Sequence, residues 1–123
     1  MPYLVHADEQ HQLVEVVYTG PITISTRICA MEDGAILLDA HQYARVLVDL
    51  TAATAAPEPA DASNAYATRM VQRPRVGNSR LAYVMLPTQD SNLLLETMAS
   101  SRHAELRHFH ARAAALHWLL TGA

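Results

Sequence analysis

One short segment determines the architecture of this chain: Arg45-Val46-Leu47-Val48-Asp49-Leu50-Thr51. Three aliphatic residues follow one another, and the acid Asp49 stands near the end of the run. A strand exposed on one face alternates apolar and polar residues, whereas a continuous apolar run indicates a strand buried on both faces. We therefore predict a central, parallel strand over Arg45–Leu50.

A hairpin and a helix are predicted before this strand. Residues Tyr3–Thr19 are rich in Val, Leu, Tyr and Thr around a polar cluster, which indicates two antiparallel strands and a turn, with Gly20-Pro21 ending the hairpin. Apolar residues then recur at steps of three and four, which predicts an amphipathic helix ending near His41. Its apolar stripe consists of Ile24, Ile28, Met31, Ala35 and Leu38.

Helices and strands alternate after the central strand. Residues Thr51–Ala60 are mostly Ala, Thr and Pro and predict a loop, because Pro57-Glu58-Pro59 prevents a continuous helix. The later predicted elements are a second helix through Ala62, Tyr66 and Met70, a strand over Arg80–Leu86, a third helix over Asn92–His103, an edge strand over Leu106–His110 and a last helix over Ala111–Leu120. The order β-β-α-β-α-β-α-β-α requires an α/β fold in which about four helices pack on a mixed sheet of four to five strands.

Composition restricts the class of protein. With 123 residues, the chain is one domain over residues 1–123, which excludes a two-domain enzyme. Half the residues are hydrophobic and 17% are charged, as in globular proteins, and the net charge of −3 argues against a nucleic-acid partner. No apolar run approaches the roughly 20 residues of a membrane helix. A single cysteine and the absence of a secretory leader predict a cytoplasmic protein.

The central segment and the chain's ending resemble a known family. Arg45–Thr51, placed after an amphipathic helix, resembles the third strand of STAS domains, the fold of the anti-sigma-factor antagonists. Phe109–Leu119 is similar to the final strand and helix of the SpoIIAA-like branch, small bacterial proteins whose last helix commonly carries an Ala and then Trp-Leu. The resemblance covers nearly the whole chain. It implies a non-enzymatic regulatory or protein-interaction domain.

The resemblance also bears on Ser63. In the antagonists, a Ser within an Asp-Ser-x-Gly turn at the start of the second helix is phosphorylated by the partner kinase, and the phosphate blocks docking. The nearest match here, Asp61-Ala62-Ser63-Asn64, follows a longer loop and has no Gly, which argues against such a switch. The branch is also reminiscent of Sec14-type lipid-binding domains. An alternative function is therefore a carrier or sensor of a small lipophilic or anionic ligand, held between the second and third helices and the sheet.

Polar residues follow the two central strands where each ends. Asp49 and Thr51 end one strand and Thr88-Gln89-Asp90-Ser91 follows the next, so both groups are expected at the carboxyl edge of the sheet, where open α/β folds bind ligands. Helix N-termini add a positive dipole there. The competing interpretation is capping and loop bonding. The candidate ligand- or partner-binding residues are Asp49, Thr51, Ser63, Thr88, Asp90 and Ser91.

All nine basic residues are arginines, and four of them fall within twelve residues that contain no acid. The planar guanidinium can bind both oxygens of a carboxylate or phosphate. The candidate patch for an anion or partner therefore consists of Arg69, Arg73, Arg75 and Arg80. An acidic protein surface, a phospholipid head group or a phosphate would fit it. The competing interpretation is a solvated helix face.

Catalytic and metal-binding motifs are not found in the sequence. The four glycines form neither a dinucleotide fingerprint nor a Walker-type loop, and no Gly-x-Ser-x-Gly elbow occurs, so we predict no enzyme and no cofactor. His108 and His110 are two residues apart on a predicted strand, and His103 is near them in the sequence. Both imidazoles would lie on one face of the strand, where they could bind a metal ion. Zinc-protease spacing is absent, however, and we predict solvent-facing histidines without a metal.

Two residues lie away from the apolar stripe of the first helix. Cys29 and Ile36 are one heptad apart and together form a sticky outer patch. We expect Cys29 to behave as a small hydrophobic residue at the rim of the core or of an oligomer contact. The sequence therefore predicts a homodimer through helix 24–41.

Overall fold

The structure, a computed structural model, describes residues 2–55, 79–89 and 105–122. The elements in these residues are β1 (Tyr3–Asp8), β2 (Leu13–Ile22), α1 (Ile24–His41), β3 (Arg45–Ala55), β4 (Arg80–Val84), β5 (Glu105–Phe109) and α2 (Arg112–Thr121). They correspond to the predicted strands and to the first and last predicted helices. The predicted second and third helices lie outside the described residues, so two helices are described where about four were predicted.

The strands form one mixed sheet in the order β1-β2-β3-β4-β5. β1 and β2 are antiparallel, from Tyr3 opposite Tyr18 to Asp8 opposite Leu13. The other neighbouring pairs are parallel, and β3 lies at the centre. The predictions of a mixed α/β sheet, an N-terminal hairpin and a central parallel strand are confirmed.

β3 is buried on both faces, as the run of aliphatic residues predicts. Val46, Val48 and Leu50 belong to a core that includes residues of α1, whereas Leu47 belongs to a second core on the opposite face, with Trp118 and Leu119 of α2. All four β3 side chains have at most 1% of their surface exposed. Successive side chains of a strand point to opposite faces, so this one segment holds both layers together.

The described helices bury the side chains that their spacing selects. In α1, Met31, Ala35 and Leu38 are buried and Ile28 is partly buried, which agrees with the predicted stripe. Thr23 caps the helix by accepting a hydrogen bond from the Thr26 amide at 3.1 Å. Neither α1 nor α2 is long and apolar enough to cross a membrane.

One predicted boundary is wrong at the carboxyl end of the sheet: Thr51–Ala55 is strand rather than loop. The hairpin pairing ends before Gly20-Pro21, as predicted, but β2 itself continues past these residues to Ile22. The two extensions pair with each other, with Pro21 opposite Thr54. β1 does not pair with β2 beyond Thr19, so Pro21 stands in an edge segment, where proline is tolerated. Pairing with the neighbouring strand thus overrides weak local propensity.

The α2 core can be tested with two adjacent leucines. Leu119 is fully buried, whereas Leu120 is 40% exposed on the same helix. Replacing Leu119 by Ala leaves a cavity between α2 and β3, so we expect Leu119→Ala to lower the free energy of unfolding by about 2–5 kcal/mol. Leu120→Ala should change it by about 0.5 kcal/mol or less. Urea denaturation measures both, and equal losses would contradict this packing.

Candidate functional site

The carboxyl edge of the sheet contains a β-bulge. Val17 lies opposite Asp49 and Thr19 lies opposite Ala52, so two residues of β3, Leu50 and Thr51, face a single residue of β2. A bulge bends its strand and takes local backbone groups out of the regular ladder. We name the surface formed by residues 49–53 of β3 and residues 86–89 after β4 the carboxyl-edge surface.

Asp49 holds one side of the bulge. Its Oδ1 accepts hydrogen bonds from the Thr51 backbone N–H at 2.9 Å and from the Thr51 hydroxyl at 2.7 Å. The carboxylate therefore satisfies an amide at the bulge, which would otherwise cost free energy if left without a partner. The structure brings Asp49 and Thr51 together, as the sequence suggests. Thr51 is the first residue of the predicted loop, so this contact is the local bonding of the competing interpretation, although Thr51 belongs to β3.

Gln89 holds the other side of the bulge. Its Nε2 donates to the carbonyl oxygens of Leu50 at 2.7 Å and Ala53 at 3.0 Å. Its Oε1 accepts from the Leu86 backbone N–H at 2.7 Å. The register between β3 and β4 ends at Asp49 and Val84, so this side chain substitutes for the missing β4 backbone. Sequence reasoning placed Gln89 in the turn but missed its role. The available signal was a side-chain amide directly after a strand, because such a group can both donate and accept hydrogen bonds with nearby backbone.

Exposed side chains lie next to this braced backbone. Leu86, Pro87 and Thr88 are all exposed, and 45% of the Leu86 surface is accessible to solvent. Thr88 is thus at the predicted edge and faces solvent. The other candidates at this edge, Ser63, Asp90 and Ser91, lie outside the described residues.

A charged cluster ties α2 to the hairpin beside the carboxyl-edge surface. The two terminal guanidinium nitrogens of Arg112 donate to the carboxylate of Glu15: Nη1 to Oε2, and Nη2 to Oε1 at 3.2 Å. His6 Nε2 lies 3.1 Å from the same oxygen. The hydrogen bond to Glu15 is the main cause that raises the pKa of Arg112; burial lowers it, while the charges of Glu15, Asp49 and Asp8 raise it further.

Glu15 and Arg112 were not among the predicted site residues. Glu15 is a buried acid in a strand that is otherwise apolar, and this interruption was the available signal. A buried carboxylate requires a charged or hydrogen-bonding partner. The sequence alone did not show which of the nine arginines supplies it, because Arg112 is 97 residues away.

Arg80 lies at the opposite end of the sheet from the carboxyl edge. It begins β4, and its Nη1 donates to the backbone carbonyls of Trp118 at 3.4 Å and Leu119 at 3.5 Å. Arg45 Nε donates to the same Leu119 carbonyl at 2.9 Å. Cations at the carboxyl end of a helix satisfy its last carbonyls and its dipole. The other members of the predicted arginine patch, Arg69, Arg73 and Arg75, lie outside the described residues.

The histidines near the last strand take part in local contacts. His110 Nδ1 lies 3.0 Å from the Met85 carbonyl, and the rings of His108 and His110 are 6.3 Å apart. Within residues 2–55, 79–89 and 105–122, no group of three or more His, Cys, Asp or Glu side chains is arranged to hold a metal ion. His103 lies outside this part of the chain.

Comparisons with known proteins bear on the fold. No protein-family model matches the chain, and no curated protein matches it. Among solved structures, the chain is similar to an uncharacterized protein from the DUF3478 family with a SpoIIAA-like fold, from Shewanella loihica PV-4. The TM-score is 0.58 at 15% identity, and the match covers 95% of this chain and 91% of that chain. The chain therefore has a SpoIIAA-like α/β fold, which confirms the fold that the resemblance implied.

The bulge predicts a difference between two substitutions of Asp49. Asp49→Ala removes the acceptor for the Thr51 amide, so we expect it to lower the free energy of unfolding by about 1–3 kcal/mol. Asp49→Asn retains a carbonyl oxygen and should cause a clearly smaller loss. Urea denaturation measures both. Equal effects of the two variants would mean that the hydrogen bonds to Thr51 do not carry the role of Asp49.

The ion pair between α2 and β2 predicts a non-additive double mutant. Arg112→Ala leaves the buried Glu15 carboxylate without its main partner, so we expect it to cost about 1–3 kcal/mol of unfolding free energy. Adding Glu15→Gln removes the unpaired carboxylate charge and should recover part of the lost unfolding free energy. Thermal or urea unfolding of the two single variants and the double variant measures the coupling. Additive losses would contradict a direct pair.

Proposed function

We propose that this chain is a non-enzymatic regulatory domain that binds a partner protein through the carboxyl-edge surface. The proposal combines a rigid backbone at that edge with the exposed side chains beside it. It requires no metal, cofactor or nucleic acid, and we propose that the protein acts in the cytoplasm.

The bracing of the bulge supports the proposal most directly. The Asp49 carboxylate and the Gln89 side-chain amide hold the backbone of residues 50–53 in one conformation through hydrogen bonds. Their polar atoms therefore fix the form of the surface. A binding surface gains affinity when its residues are held in place before the partner arrives, because less conformational entropy is lost on binding.

The exposed residues beside the bulge provide the contact. Leu86 offers an apolar side chain, and Pro87 and Thr88 surround it with a small and partly polar rim. Protein interfaces combine an apolar centre with a polar border in this way. The resemblance to the anti-sigma-factor antagonists supports the same conclusion, because those domains act by docking to a partner.

Affinity capture from the host lysate tests this function with three baits. We expect the wild-type chain to enrich a specific protein. Leu86→Asp should not enrich it, because binding of the partner would remove the Asp carboxylate from water without giving it a partner charge. Leu120→Asp is the matched control: it places the same charge on an exposed leucine of α2, and it should retain the partner. Titration calorimetry with the purified partner then measures the loss of affinity.

Two results would contradict the proposal. Equal capture by the wild type and Leu86→Asp would show that the partner does not use the carboxyl-edge surface. A small molecule that stays bound to the wild-type chain in native mass spectra, with no protein enriched, would instead favour the carrier or sensor of a lipophilic or anionic ligand. The second and third predicted helices, which would enclose such a ligand, lie outside the described residues.

A further inference from the structure

We propose that a second copy of this chain pairs antiparallel with β1, so that the two sheets join and α1 packs against α1 of the second copy. This surface lies on the outer side of the hairpin and is separate from the carboxyl-edge surface. The inference therefore goes beyond the proposed function and does not depend on it.

β1 is an edge strand with neither a bulge nor a proline to prevent pairing. Among the described residues, β2 is its only strand neighbour. Its register with β2 is regular over Tyr3–Asp8, with no bulge. The strand contains no proline, and the whole chain contains no lysine. Natural edge strands commonly use these devices to prevent association, so β1 is open to a further strand.

The hydrogen-bond pattern shows which groups of β1 face outward. Pro2 accepts a hydrogen bond from the Thr19 amide at 2.8 Å, which makes this a hydrogen-bonded pair of the antiparallel ladder. Such pairs alternate along the strands, so Leu4, His6 and Asp8 direct their N–H and C=O groups toward β2. Their neighbours Tyr3, Val5 and Ala7 direct theirs toward the open edge.

This pattern is self-complementary in one register. A two-fold axis beside Val5 pairs Val5 with Val5 of the second copy and Tyr3 with Ala7 of the second copy. Each of these is then a hydrogen-bonded pair, and every outward N–H and C=O of the three residues has a partner. A two-fold axis beside Leu4 or His6 satisfies fewer backbone groups. Either Ala7 or Tyr3 is then not opposite any of the three outward-facing residues of the second copy.

The position of α1 makes the same register favourable for the helices. α1 packs on both β1 and β2, so its axis lies between them. Neighbouring strands are about 4.8 Å apart, so joining two sheets at β1 places the two helix axes about 10 Å apart. Helices pack at about 8–10 Å. Pairing the strands therefore brings the helices into contact without further rearrangement.

An exposed apolar side chain of α1 lies where the second helix would pack. Ile36 is 61% exposed. It lines a shallow open groove between β1 and α1, together with Val5 and Leu37. Because Val5 and Ile36 share this groove, a two-fold axis beside Val5 sets Ile36 near Ile36 of the second copy. The axis thus covers the apolar patch that Ile36 and the exposed Cys29 suggest.

Measuring the mass of the full chain in solution is the first test. We expect light scattering and analytical ultracentrifugation at micromolar concentration to give twice the chain mass of 13.5 kDa. Ile36→Glu places two like charges at the axis and should raise the dimer dissociation constant by about 100-fold or more. Leu120→Glu places the same charge on α2 and should leave the constant unchanged, as should Leu86→Asp at the carboxyl-edge surface.

Disulfide trapping tests the position of the axis. In a Cys29→Ser background, oxidation of Ile36→Cys should produce a covalent dimer, whereas Leu120→Cys should remain a single chain. A wild-type chain that stays monomeric at several hundred micromolar overturns the proposal. A dimer that Ile36→Glu leaves intact, or that Ile36→Cys cannot trap, overturns it as well, because the two copies then associate through another surface.

Discussion

The fold depends on burying both faces of β3 at once. Val46, Val48 and Leu50 contribute to the core on the α1 side, and Leu47 contributes to the core on the α2 side, so the two layers share one strand. Burial of apolar surface stabilises this arrangement, but it also removes the backbone of β3 from water. Every N–H and C=O of the strand therefore needs a partner within the protein. Parallel pairing supplies these partners from β2 along most of β3 and from β4 over Arg45–Asp49.

The candidate site arises where that pairing becomes irregular. Beyond Asp49 the β4 partner ends and a bulge interrupts the register with β2, so the strand would expose backbone groups that the core cannot satisfy. Asp49 and Gln89 supply the missing partners. The same need for compensation appears at the other end of the sheet, where Arg45 and Arg80 bond the last carbonyls of α2.

Sequence patterns predict the parts of this molecule that depend on local spacing. The aliphatic run at Val46–Val48 predicted the central strand, and the carboxyl-edge rule placed Asp49, Thr51 and Thr88 at one edge. Residues 51–55 were assigned to the loop Thr51–Ala60 because the segment is mostly Ala, Thr and Pro and Pro57-Glu58-Pro59 prevents a continuous helix. The pairing with β2 that makes residues 51–55 a strand is not local. The Glu15–Arg112 pair and the role of Arg80 were not predicted, because each contact joins residues far apart in the chain.

Native-state hydrogen exchange of the β3 amides tests the central claim most directly. If both cores depend on the packing of β3, the backbone amides of Val46, Leu47 and Val48 should exchange with solvent only through global unfolding. Their exchange free energies should then equal the unfolding free energy from urea denaturation, while amides in the turn between β1 and β2 exchange far faster. Exchange of the β3 amides through local openings, at free energies well below the global value, would contradict the account.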